Sequence, residues 1–194
     1  VAWPGHTQVH KRSDPQDHHP VEIDAKIYQD RNIEAGKSEA QPGLRQAVAR
    51  APEMVAGSGP AAAVFAQKVY EDTTLGLREF EAARLRTAQI NGCIFCQDWR
   101  TEMDGQKVED GFDAAVIDWR TTDALDTRAR LAAEYAERYA LDHHGLDDEF
   151  WTRMKAEYSD AEIVELSMCL GSWLAFGRLN HVLGLDSACV LPGH

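Results

Sequence analysis

Apolar residues recur with helical spacing along the chain from residue 42 onward. Leu131, Tyr135 and Tyr139, for example, follow one another four residues apart and so share one helix face. No alternating apolar and polar run of useful length occurs, and the pattern therefore predicts an all-α fold. Breaks at Gly, Pro and Asn divide the pattern into eight helices, at residues 43–56, 60–70, 77–90, 93–103, 112–119, 125–141, 147–158 and 160–183.

The last predicted helix is apolar on more than one face. Ser159 and Glu162 have the spacing of a capping box at its start. One face carries Ile163, Leu166, Leu170 and Leu174, and another carries Val164, Met168 and Phe176. A helix with two apolar faces is buried in the centre of a fold or between subunits. We therefore expect a homo-oligomer, with this helix at an interface.

The first 40 residues differ in composition from the rest of the chain. They are rich in His, Asp, Gln and Pro, with a short apolar stretch at residues 21–27, and residues 1–20 contain no apolar segment typical of a signal peptide. We expect an N-terminal arm over residues 1–40, also at an interface, followed by an all-α domain over residues 41–194. Four histidines in the arm are irregularly spaced, which favours a solvated polar segment over a metal site: His6, His10, His18 and His19.

The net negative charge argues against nucleic acid and anionic membranes as partners. The formal net charge is -12, from 32 acidic and 20 basic residues, and such a surface repels nucleic acid and anionic membranes. The longest uncharged apolar run, residues 166–177, is shorter than the ~20 residues that span a bilayer. Four cysteines in 194 residues are too few for a secreted disulfide scaffold. These features predict a cytoplasmic protein.

Cys93 and Cys96 form a Cys-x-x-Cys pair directly after an Asn-Gly break. Such a pair forms a reversible disulfide, binds a metal or simply packs. Zinc would require further ligands, and Cys169 and Cys189 are not spaced to supply them. If Cys93 opens a helix, the helix dipole favours its thiolate, and Arg100, one turn beyond Cys96, would add positive charge. Two inert buried cysteines remain the alternative.

Glu81 is a candidate general base for this pair. In one continuous helix it would lie about 18 Å from Cys93. A chain reversal at Asn91-Gly92 would instead place the two helices side by side and bring Glu81 toward the thiols. A buried carboxylate can then accept a proton from a thiol, either directly or through a water molecule.

The segment from residue 78 to residue 96 resembles the carboxymuconolactone decarboxylase/AhpD-like superfamily. Its pattern is a Glu, eleven intervening residues and then Cys-x-x-Cys-x-x-x-His; Glu81, Cys93 and Cys96 match it. The last helix is also similar, so the resemblance covers about residues 42–186. The chain departs from the pattern at Arg100, which stands where peroxidase-type members carry His and which cannot relay a proton.

The resemblance implies a helical fold that assembles into trimers or hexamers. It also implies a thiol-dependent (alkyl hydro)peroxidase or disulfide reductase, with Cys96 peroxidatic and Cys93 resolving, although the helix dipole alone favours Cys93. Glu81 and Arg100 complete the expected catalytic set. The implied partners are a hydroperoxide or another small substrate and a dithiol reductant, and no metal or other cofactor is expected.

Two other functions compete with this prediction. Arg100 suits a carboxylate substrate, as in a non-redox decarboxylase-type enzyme acting on a small carboxylate or lactone. Alternatively, the missing His is consistent with a scaffold protein whose redox centre has lapsed. His181 on the last helix is a further residue that would replace the family's His if the fold brought it near the cysteines.

Overall fold

The computed structural model describes residues 57–182 and shows an all-α fold. Helix makes up 72% of these residues, and no strand occurs among them. Seven α-helices occur in this range: Ser58–Glu71 (α1), Leu77–Asn91 (α2), Ile94–Asp98 (α3), Phe112–Ile117 (α4), Thr127–Leu141 (α5), Asp148–Glu157 (α6) and Asp160–Val182 (α7). A short 3-10 helix, His143–Gly145, joins α5 to α6. The predicted arm over residues 1–40 and the helix predicted at 43–56 lie outside the described residues.

The central helix is α2, which packs against α5, α7, α4 and α3. Every residue from Phe80 to Asn91 is buried. The helix is therefore enclosed on all sides, although half of these buried residues are polar: Glu81, Arg84, Arg86, Thr87, Gln89 and Asn91. Burying polar groups is costly unless they find partners, so their contacts decide how the helix is held.

One buried ion pair joins α2 to α5. The Arg86 guanidinium donates two hydrogen bonds to one Glu137 oxygen, at 2.8 and 2.6 Å, and the Trp119 indole donates a third at 3.0 Å. Arg120 pairs with the other oxygen. Burial raises the pKa of Glu137, but the Arg86 charge and the bonds from Trp119 and Arg120 outweigh it and hold that pKa below its ordinary value. The carboxylate thus stays ionised inside the bundle.

The capping box predicted at the start of α7 is confirmed. The Glu162 side chain accepts the Ser159 backbone N–H at 2.8 Å, and the Ser159 hydroxyl accepts the Glu162 N–H at 3.3 Å. Leu166 and Leu170 are fully buried, so one apolar face of α7 lies in the core. None of the helices in residues 57–182 combines the length and apolar character needed to cross a bilayer.

The helix predicted at residues 93–103 is wrong in extent, because α3 ends at Asp98. Trp99 adopts an extended backbone with ψ of 145°. The Arg84 side chain donates hydrogen bonds to the carbonyls of Cys96 and Trp99, and the Glu81 carboxylate accepts one from the Thr101 N–H. These tertiary bonds replace those that another helical turn would make. The other helices predicted within residues 57–182 agree with the structure to within a few residues.

Candidate redox site

The chain reversal before the cysteine pair depends on Gly92. This residue ends α2 with φ of 68°, in the left-handed region that favours glycine. Its N–H bonds to the Gln89 carbonyl, and the Cys93 N–H reaches back to the Ala88 carbonyl at 3.2 Å. This is the hydrogen-bond pattern of a Schellman helix end. The reversal predicted from the sequence is confirmed, and it turns α3 back against α2.

Cys93 and Cys96 are joined in a disulfide, so the site is described in its oxidised form. Cys93 precedes α3, and its sulfur accepts the Cys96 N–H at 3.2 Å. The two cysteines differ in access, because Cys93 is only 1% exposed whereas Cys96 is partly exposed. A reactant approaching from outside therefore meets Cys96 first.

Cys96 lies on the wall of a cavity of about 160 Å³ between α1, the C-terminal half of α2 and α7. Its lining is mostly apolar and aromatic with a few polar groups: Ala66, Tyr70, Arg84, Thr87, Ala88, Asn91, Cys96, Ser172, Trp173, Phe176, Gly177 and Asn180. Cys93 is absent from this lining. A cavity of this character suits a small organic molecule.

A buried ion pair between Glu81 and Arg84 bonds to the backbone of residues 93–101, the cysteine loop. Glu81 is 0% and Arg84 3% exposed, and they form a two-point pair with N–O distances of 2.5 and 2.9 Å. Arg84 also donates to the carbonyls of Cys96 and Trp99, both at 2.6 Å, and its guanidinium lies 5.1 Å from the Trp99 ring centre. Arg84 thus links Glu81 to the backbone of the cysteine loop.

Glu81, the predicted general base, is connected to the cysteine pair by Arg84, which bonds both to the Glu81 carboxylate and to the Cys96 carbonyl. Arg100 points elsewhere: it pairs with Asp113 at 3.5 Å and donates to the carbonyls of Gln97 and Trp99. Because α3 ends at Asp98, the expected position of Arg100 one helical turn beyond Cys96 is wrong. His181 lies near the end of α7 and does not line the cavity.

Arg84, Tyr70, Asn91 and Trp173 were not predicted as site residues. Arg84 follows Glu81 by three residues, a spacing that favours a helical ion pair, so the sequence carried a signal for it. Tyr70 and Trp173 belong to other helices, α1 and α7, and no local pattern connects them to the cysteines. Only the packing of the three helices brings them to one cavity.

Tyr70 and Trp173 form the aromatic side of the cavity. The Tyr70 ring meets the rings of Trp99 and Phe80 edge-on, with centroids 5.3 and 5.6 Å apart. Burial raises the pKa of Tyr70 to about 12, which keeps its hydroxyl protonated at neutral pH. Asn91 donates to the Trp173 carbonyl at 3.0 Å. The other Asn91 side-chain atom, Oδ1, and the Trp173 indole nitrogen are buried without a hydrogen-bond partner among the described residues.

Cys169 is separate from this site. It is buried in α7, where its thiol donates to the Val69 carbonyl, and burial raises its pKa to about 12. A thiol held in this state is a poor nucleophile near neutral pH. Within residues 57–182, no group of three or more His, Cys, Asp or Glu side chains is arranged to hold a metal ion.

The chain is similar in sequence to uncharacterized proteins of two bacteria. No family model matches the chain. The uncharacterized protein YnjA of Escherichia coli (strain K12) is 28% identical over 110 residues, which are 55% of this chain and 60% of YnjA. The uncharacterized protein YdfG of Bacillus subtilis (strain 168) is 22% identical over 125 residues, or 63% of this chain and 84% of YdfG. The match therefore spans less than two thirds of YnjA.

A crystal structure from Agrobacterium tumefaciens superimposes on this chain with a TM-score of 0.58. The match covers 68% of this chain and 91% of that protein, at 21% sequence identity. That protein is of unknown function and is provisionally identified as the antioxidant defence protein AhpD. The chain has an AhpD-like fold. This likeness confirms the all-α, AhpD-like architecture. The Cys93–Cys96 disulfide beside the cavity is itself consistent with a redox role.

Proposed function

We propose that this chain is a thiol-dependent alkyl hydroperoxidase that works through the Cys93–Cys96 pair. One observation carries the proposal: the two cysteines form a disulfide of which only Cys96 reaches a mostly apolar cavity. The difference in access favours Cys96 as the peroxidatic cysteine and Cys93 as the resolving one. The AhpD-like fold and the provisional name of the structural relative support the same activity.

The cycle uses both thiols and needs no bound cofactor. The Cys96 thiolate attacks the terminal peroxide oxygen, forming a sulfur–oxygen bond as the oxygen–oxygen bond breaks, and the product is a sulfenic acid plus an alcohol. Cys93 then attacks the Cys96 sulfur and expels water, which forms the disulfide seen in the structure. A dithiol reductant restores both thiols by exchange and leaves as its own disulfide.

Arg84 is the cation that we assign to stabilising the Cys96 thiolate. Its guanidinium is buried and bonded to the Cys96 backbone, and a positive charge close to a thiol lowers the thiol pKa. In this proposal Glu81 holds Arg84 in place and does not act as the general base expected from the sequence. A thiolate-stabilising role for Arg100 stays a prediction.

The proposal predicts a stoichiometric loss of thiols. Reduced protein treated with one equivalent of cumene hydroperoxide should lose two of its four thiols, and peptide mapping should find Cys93 joined to Cys96. With excess dithiothreitol the protein should turn over further peroxide. The expected fate of Cys169 is to stay reduced, because its buried thiol is protonated. Four thiols that survive peroxide treatment would instead favour a non-redox enzyme or a redox-lapsed scaffold.

We also propose that the protein is a homo-oligomer, a trimer or hexamer. Val164, Met168, Leu179 and Val182 lie along one side of α7 and are between 48% and 77% exposed. An apolar stripe of this length typically marks an interface.

Light scattering at micromolar concentration should give a trimeric or hexameric mass, and Met168→Glu should shift that mass toward the monomer. The matched control is Thr152→Glu, which adds the same charge at an exposed position of α6. A monomeric mass for the unmodified protein would contradict the proposal.

A further inference from the structure

Peroxide reduction by Cys96 releases a strongly basic leaving group. When the oxygen–oxygen bond of an alkyl hydroperoxide breaks, the departing alkoxide has a conjugate-acid pKa of roughly 16, similar to that of water. A positioned proton donor lowers the barrier of such a step. In the related peroxidase pattern a His follows the cysteines, but here that position is Arg100, which does not give up its proton and does not line the cavity.

Tyr70 is the one acidic O–H group among the described residues that line the Cys96 cavity. The other hydroxyls there belong to Thr87, whose O–H donates to the Ala83 carbonyl at 2.8 Å, and to Ser172. Aliphatic hydroxyls are far weaker acids than a phenol. Among the described residues the Tyr70 hydroxyl has no acceptor, and the Trp173 indole N–H approaches its oxygen without completing a full hydrogen bond. The Tyr70 proton is therefore not committed to another group there.

The surroundings of Tyr70 suit a group that is neutral before the step and anionic after it. Burial favours the protonated hydroxyl, while the Arg84 charge and the Trp173 indole N–H favour the phenolate. Glu81 and Cys169 act in the opposite sense to Arg84. Because Arg84 is paired with Glu81 and faces the cysteine loop, one cation serves both the attacking sulfur and the donor of the leaving group's proton.

The same cavity offers a place for the peroxide group. Asn91 Oδ1 is a buried acceptor without a donor, and Trp173 Nε1 is a buried donor without an acceptor. A hydroperoxide has one O–H to donate and two oxygens that accept, so it can bond to both atoms at once. Phe176 and Ala66 line the remaining wall, which suits an uncharged hydrocarbon group on the peroxide.

We propose that Tyr70 is the catalytic proton donor to the departing alkoxide, and that an uncharged organic hydroperoxide seated between Asn91 and Trp173 is the substrate. The inference rests on the proposed peroxidase function. In the step, the Cys96 sulfur gains the terminal OH of the peroxide and is oxidised to the sulfenic acid. The remaining oxygen carries away the electron pair of the broken bond and takes the Tyr70 proton to form an alcohol. Solvent then returns a proton to the phenolate.

The test is Tyr70→Phe, which removes the hydroxyl and keeps the ring packing. The second-order rate of Cys96 oxidation by tert-butyl hydroperoxide should fall about 100-fold, within the range that general acids contribute. Oxidation by peracetic acid should keep its rate, because its leaving carboxylate is a weak base that needs no proton. Alkylation of Cys96 by iodoacetamide should also be unchanged. The matched control is Tyr135→Phe, which removes a hydroxyl bonded to Ser167 outside the cavity and should leave all three rates unaltered.

Each alternative result overturns the inference. Equal slowing of all three reactions in Tyr70→Phe would show a structural role for Tyr70, and unchanged rates would show that another group supplies the proton. If the unmodified protein is not oxidised by either peroxide while its thiols react with iodoacetamide, the peroxidase function itself fails and the inference fails with it. Oxidation of the unmodified protein together with an unaffected Tyr70→Phe variant would remove the inference alone.

Discussion

Cys96→Ser should abolish hydroperoxide reduction, whereas Cys93→Ser should stop the cycle after one oxidation. A serine hydroxyl at position 96 does not ionise near neutral pH, so no nucleophile would reach the cavity. In Cys93→Ser the Cys96 thiolate still attacks the peroxide, but the resolving thiol that would expel water from the sulfenic acid is missing. The measurement is the amount of peroxide consumed per protein after reduction and removal of dithiothreitol, because free dithiothreitol would itself reduce the sulfenic acid. Dimedone then traps the sulfenic acid.

The two cysteine variants test the direction of the reaction as well as its existence. Cys169→Ala is the matched control, because it removes a thiol that is buried and protonated, and it should keep full turnover. A trapped sulfenic acid in Cys96→Ser and none in Cys93→Ser would assign the peroxidatic role to Cys93. That result would favour the helix-dipole argument over the difference in access to the cavity.

Arg84→Gln should lower the free energy of unfolding and slow the alkylation of Cys96. The substitution leaves the Glu81 carboxylate fully buried without its ion-pair partner. Removing one member of a buried ion pair costs about 3–5 kcal/mol of unfolding free energy. It also removes the positive charge next to Cys96, so alkylation of the reduced protein by iodoacetamide near neutral pH should slow down. Denaturant unfolding and alkylation kinetics measure the two effects separately.

Two further variants separate these effects. Combining Arg84→Gln with Glu81→Gln removes both charges, so it should recover part of the lost stability while alkylation stays slow. Arg100→Ala removes a partly exposed pair with Asp113 and part-buried hydrogen bonds to the Gln97 and Trp99 carbonyls, but it leaves no buried charge without a partner. It should therefore lower the free energy of unfolding much less than Arg84→Gln does. If Arg100→Ala slows alkylation and Arg84→Gln does not, the charge that holds the thiolate is Arg100, as the sequence alone suggested.

Helix positions were predictable wherever the signals were local. Gly92 ends α2 because its backbone adopts a left-handed conformation that other residues avoid, and Ser159 with Glu162 starts α7 through bonds within four residues. The α3 segment was not predictable in this way. Its length depends on Glu81 and Arg84, which lie on the preceding helix. They form hydrogen bonds with the Thr101 N–H and the Cys96 carbonyl, backbone groups that a longer α3 would have paired within itself.

The sequence by itself determined the helical class, the reversal before Cys93 and the placement of two cysteines three residues apart directly after it. Each of these follows from interactions between residues that are close along the chain. The tertiary structure alone decided that Arg84, and not Arg100, bonds to the Cys96 carbonyl, and that Tyr70 and Trp173 share a cavity with Cys96. Asn91 and Trp173 are 82 residues apart, and contacts over such distances depend on how helices pack around a common core, which no local pattern encodes.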